Sequence, residues 1–197
     1  MGMLKNILAA IGALIVVGLI FAFVKFDLGS RIGQVSKLDP NAMGAYMTMF
    51  DGVLKTGKAP DAMIRKVKVN PEVSNEDIVE SMKSIATDAN MIQVGDALMS
   101  DGKPGPDGKK TRYIRILSYC SPGIAKQFID FSEAFGAFMP CRVLIVEDDN
   151  GDRWLYTMAM ELMLFGGHTL PPEMMEQAEH VRDTMYKMMD LGAEGDF

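Results

Sequence analysis

Two cysteines, a methionine-rich segment and one histidine are the residues best suited to chemistry in this chain. Cys120 ends an expected strand and directly precedes Ser121-Pro122, an expected helix start. A thiol at that corner feels the positive end of the helix, which lowers its pKa and raises its reactivity. The other reading is a small apolar residue at a tight turn. Cys141 is the second candidate reactive thiol. A helical crossover between their two strands would make those strands parallel and set the cysteines roughly a strand length apart, about 15–20 Å. A bridge needs less than about 7 Å between Cα atoms, so free thiols are expected; a long return through 136–140 would instead let the pair meet. Neither cysteine has the spacing of a dithiol exchange or zinc site.

Met158, Met160 and His168 form the soft-metal candidate. Thioethers and an imidazole suit copper(I), although Met160 and Met163 also have the spacing of a core stripe. The chain holds eighteen methionines, and methionine fills gaps as readily as it binds soft metals. Glu176 and His180 have the spacing of a surface pair on one helix. Nothing resembles a catalytic triad, a Walker loop, a dinucleotide fingerprint or a zinc-protease motif. The sequence therefore points away from an enzyme without excluding one. A formal net charge of −6 and no basic stripe argue against nucleic acid.

The elements that must carry these residues begin with an anchor. Residues 7–24, ILAAIGALIVVGLIFAFV, are unbroken apolar sequence without charge or proline. About 18 residues make roughly 27 Å of helix, close to the thickness of a hydrocarbon core. No small-x-small cleavage site follows, so residues 1–25 are expected to be an uncleaved single-pass anchor. Residues 26–61 are expected to hold a linker, KFDLGSRIGQVSKL from 25 to 38, and then an amphipathic juxtamembrane helix over 40–56. Asp39 and Pro40 suit its start and Gly57 its end. Met43, Tyr46, Met47, Phe50, Val53 and Leu54 follow helical spacing. This stripe is expected either to pack on the domain or to meet a membrane surface or a partner. Met43, Tyr46, Met47, Phe50 and Leu54 are the interaction candidates.

From residue 62 the pattern is α+β. Strands are expected at 63–69, 91–99, 111–119, 141–148 and 153–158. Helices are expected from about 75 to 89, from Pro122 to Phe135, and through about Met189. Ser74 and Asp77 have the spacing of a capping box, and Asn150-Gly151 marks a hairpin. The order is βαββαββα, with helices on a mixed or antiparallel sheet and a tail at 191–197. Trp154 is expected to be buried.

Tyr119-Cys120-Ser121-Pro122, then a short helix, Met139-Pro140-Cys141-Arg142-Val143, and Glu147-Asp148 before a hairpin and Trp154 resemble the family called domain of unknown function 302 (DUF 302). The resemblance covers residues 62–190. It implies a small α+β domain, often dimeric, with no settled activity. The anchored form looks like a sub-group from sulfur-oxidising and related proteobacteria.

The expected role is a membrane-anchored accessory or binding protein without a cofactor. Its partner is expected to be a membrane-protein complex or its own copy, as a homodimer. A soft-metal (copper) or sulfur-handling redox protein is the alternative. Lys25, Arg31 and Lys37 after the anchor slightly favour a cytoplasmic domain. An N-terminal anchor before a large domain more often exports it, so the expectation is a periplasmic domain on the inner membrane.

Overall fold

A computed structural model describes residues 2–196. It opens with α1 (Gly2–Lys25), none of whose residues is buried. At 1.5 Å per residue it runs about 36 Å, so it is long and apolar enough to cross a membrane. The expected linker is not extended. Leu28–Val35 form α2, entered through Asp27 in the left-handed conformation (φ 48°). The helix expected over 40–56, α3, is Ala42–Thr56, and Gly57 ends it at φ 69°, where a Cβ would be strained. Asp39 acts just before the helix, accepting the Asn41 N–H at 2.9 Å.

The domain contains β1 (Ile64–Lys68), α4 (Asn75–Asp88), β2 (Ile92–Asp101), β3 (Tyr113–Cys120), α5 (Pro122–Phe131), β4 (Cys141–Glu147), β5 (Arg153–Met158), α6 (Glu161–Phe165) and α7 (Pro172–Glu194). Alternating apolar residues make the strands, and the Ser74–Asp77 capping box opens α4 as expected. The five strands lie in the order β1-β5-β4-β3-β2. Every neighbouring pair is antiparallel. Two bulges interrupt β2 against β3, between Gln93 and Gly95 and between Leu98 and Ser100.

One sheet face is sealed. Leu117, Tyr119, Val143, Ile145 and Leu155 meet Ile78, Met82 and Ile85 of α4 and Met185, Met188 and Met189 of α7 in one core. The methionine excess is in part explained here. Met82, Met91, Met160, Met185, Met188 and Met189 are all fully buried, filling irregular space between helices and sheet. Residues 191–194 of the expected tail are helical, and Phe197 lies outside the described residues. α7 continues to Glu194, and Ala193 is fully buried. A Cβ on Gly192 would approach Met82 Cγ to 3.1 Å, so a residue with no side chain lets α7 lie close on α4.

Parallel pairing of β3 with β4 is ruled out by their register. Tyr119 stands opposite Cys141, and Ile116 opposite Leu144. The turn at Glu133–Phe138 after α5 brings the chain back to start β4 beside the end of β3.

Candidate interaction surface

α3 and the residues just before it are held to the domain by small side chains and two hydrogen bonds. Ala42 is 1% exposed. A Cβ on Gly52 would lie 2.8 Å from the Ala62 Cβ, so glycine permits close seating on the Pro60–Ala62 turn. The Asp39 N–H donates to the Gly167 carbonyl at 2.9 Å. The Asp39 carboxyl is held below its usual range, first by the Asn41 backbone and then by Thr169. The Tyr46 hydroxyl donates to the Gly166 carbonyl at 2.7 Å.

This docking uses the face opposite to the expected stripe. Met43, Met47, Phe50 and Leu54 remain 49% to 69% exposed along one side of α3. Tyr46 stands at the edge, partly exposed while its hydroxyl is tied to the domain. The intramolecular reading of the stripe therefore fails for these four residues; Val53 alone of the group is half-buried. Four apolar side chains at helical spacing form a ready contact surface, and methionine lends it adaptability.

Beneath α3 lies a cleft of about 810 Å³. Met49, Met63, Met158, Met163, Phe135 and Phe138 contribute to its apolar walls. Glu161 is at its edge, already engaged by the Tyr186 hydroxyl at 3.0 Å. The Met160 N–H donates to the same hydroxyl oxygen at 3.2 Å. The sequence did not signal this cleft, because it joins residues from four separated segments.

The soft-donor set is only partly assembled. Met158, Met160 and Cys141 border a second cleft of about 370 Å³. His168 is elsewhere, beside Arg31, Gln34 and Lys37 of the α2 region. No group of three or more His, Cys, Asp or Glu side chains suited to a metal occurs among the described residues.

Cys120 and Cys141 are both free. The reason differs from the distance expected of parallel strands. Because Tyr119 is the partner of Cys141, Cys120 is one residue out of step and takes the opposite side of the pleat. The expected activation of Cys120 is also reversed: burial raises its pKa. Burial pushes Cys141 up to about 11, with Cys120 adding in the same direction.

Elsewhere, Trp154 is half-buried rather than in the core. Its indole N–H donates to Asp148 Oδ2 at 3.0 Å, and Lys66 and Lys68 stand over its ring. Asp148 also accepts from the Asn150 and Asp152 N–H groups, so it organises the hairpin. The expected Glu176–His180 pair is replaced by a contact from His180 Nε2 to the Ala89 carbonyl at 3.1 Å. On the sealed face, Arg115 holds Asp96 through two bonds of 2.8 and 2.6 Å. That guanidinium keeps the Asp96 carboxyl below its usual range.

These features define an α+β domain with one open sheet face, preceded by a helix able to span a membrane. The family model for Domain of unknown function DUF302 matches residues 65–191, well over half of the chain, and the chain belongs to that family. A crystal structure of an uncharacterized conserved protein DUF302 from Bacillus stearothermophilus is similar, with a TM-score of 0.49 and 14% identity. The match covers 65% of this chain and 96% of that one. Among curated proteins none matches the chain.

Proposed function

We propose that this is a single-pass membrane-anchored accessory protein of the inner membrane. It presents its α+β domain, in the periplasm, to a membrane-protein partner or to its own copy. One observation carries the reading: α3 is fixed to the domain by one face while Met43, Met47, Phe50 and Leu54 are left exposed. The anchor keeps that surface near the bilayer. Eight of the residues between α1 and α3 are themselves helical, so they span only about 12 Å instead of their extended length.

The test is isolation of the full chain and of Phe50→Asp from native membranes in mild detergent. The native chain is expected to run as an assembly, and detergent-corrected light scattering separates a homodimer from a complex with another protein. The variant is expected to lose that assembly with an unchanged unfolding temperature. Retention of the assembly by the variant would remove the role of the stripe.

A second reading is a soft-metal or sulfur-handling protein. It is supported by three sulfur side chains, Cys141, Met158 and Met160, around one cleft. Copper(I) titration against a competing chelator, with and without Met160→Leu, tests it. Binding that is absent, or unaffected by the substitution, removes it.

A further inference from the structure

The short helix α2 carries an apolar stripe that the other described residues leave exposed, although Val35 borders a cleft with His168. Leu28, Ile32 and Val35 recur at helical spacing, and all three are exposed. Ser30, Gly33 and Gln34 occupy the other side. α1 touches α2 through Gly29, where a Cβ would lie 3.5 Å from the Phe23 ring. That approach leaves the stripe open.

We infer that α2 is an interfacial helix, its Leu28, Ile32 and Val35 among lipid acyl chains and its Arg31 and Lys37 at anionic lipid headgroups. The inference rests on the proposed membrane anchoring by α1. Three observations select a lipid surface as the occupant. First, only Phe26 and Asp27 separate α1 from α2. The stripe therefore begins within about 10 Å of the end of the anchor, at the depth of the headgroup layer. Second, Asp27 at φ 48°, ψ 45° turns the chain there, and its carboxylate accepts the Ser30 hydroxyl, fixing the turn. Asp is among the few residues with a side chain that tolerate this conformation. Third, the charge is locally reversed. The chain as a whole is acidic, yet Lys25, Arg31 and Lys37 lie between residues 25 and 38 with Asp27 as the single acid. A short amphipathic helix with a basic rim settles in the headgroup layer, about 5–10 Å deep. Anionic lipid adds attraction at each basic residue.

The placement also sets the pose of the domain. The chain leaves α2 and is tied at once to the domain by the Asp39 N–H on the Gly167 carbonyl. Arg31, Gln34 and Lys37 share a cleft with His168. The Gly166–Thr169 loop therefore faces the headgroups.

The test is nitroxide scanning of the full chain in vesicles of phosphatidylglycerol and phosphatidylcholine. Single labels go at positions 15, 28, 30, 32, 33 and 35, in a Cys120→Ser, Cys141→Ala background that retains the native thermal transition. Positions 28, 32 and 35 are expected to be open to oxygen and several-fold less open to a water-soluble nickel chelate than 30 and 33. Position 15 reports on the anchor independently. Nickel access there overturns the anchoring itself. A lipid-buried position 15 with equal nickel access at 32 and 33 overturns the interfacial helix alone. Arg31→Glu with Lys37→Glu should raise nickel access at 32, as should phosphatidylcholine vesicles; no change in either would overturn the headgroup contact. A photoreactive benzophenone at position 32, in a chain with both native cysteines, should yield lipid adducts. Protein adducts in their place would overturn the assignment.

Discussion

A buried thiol that keeps its proton is slow to react, and Cys141 is in that state. Its pKa rises from an ordinary 9.0 to about 11 through burial. Below pH 9 the folded and unfolded thiols are both protonated, so the stabilising difference is fully present. Above pH 9 the unfolded thiol ionises first, and stability falls until the folded thiol ionises near pH 11. The slope is at most about 1.4 kcal/mol per pH unit in that window. Tyr119, also raised by burial, acts in the same direction at still higher pH. Urea midpoints at pH 8 and pH 10 should therefore separate in the native chain and draw closer in Cys141→Ala. Trp154 gives a second expectation. Because it is half-buried, Trp154→Phe should lose mainly the indole bond to Asp148, about 0.5–1.5 kcal/mol. Trp154→Ala should exceed that but fall short of the roughly 3–5 kcal/mol of a fully buried aromatic. Chemical denaturation of both variants measures the pair. The sequence named these residues but misjudged their surroundings. It displayed the helix start after Cys120, yet the burial that raises the thiol's pKa arises only when strands distant in the chain come together.

The seating of α3 predicts opposite results at its two glycines. A Cβ at Gly44 meets nothing within 4 Å. Gly44→Ala should therefore stabilise the helix by about 0.5–1 kcal/mol. At Gly52 a Cβ would meet the Ala62 Cβ at 2.8 Å and its Cα at 3.1 Å. Gly52→Ala should loosen α3 and quicken its proteolysis while the domain's main unfolding transition remains. Equal protease resistance in the two variants would contradict the docking. Helices and strands of the domain were legible because their apolar residues repeat at 3.6 or 2 over several turns or pleats. α2 escaped notice because three apolar residues in eight, interrupted by Gly29 and Gly33, read as a linker. The last turn of α7 escaped because Gly192 and Ala193 are buried for their smallness, which leaves no hydrophobic signature.

For the whole molecule, deletion of residues 1–26 should yield a soluble and folded protein, since no residue of α1 is buried and the core begins at Val69. Far-ultraviolet circular dichroism with a cooperative thermal transition checks it; an unfolded product would place α1 inside the fold. The sequence showed the order of the domain's strands and longer helices but not the short α6, nor the pairing of β3 with β4, because direction depends on how the 133–140 turn reverses the chain. The strand order has a consequence for synthesis. β2, β3, β4 and β5 each pair with a neighbour in sequence, whereas β1 joins β5 across almost the whole domain, with Ile64 opposite Met158. The chain's far end closes over the same strand, through Arg65 with Asp190 and the Asn70 N–H with the Ala193 carbonyl. Joining such distant segments carries a loop-closure penalty that local hairpins largely avoid. A ribosome delivers β1 long before β5, so the first strand of the domain stays unpaired until Arg153–Met158 have been made.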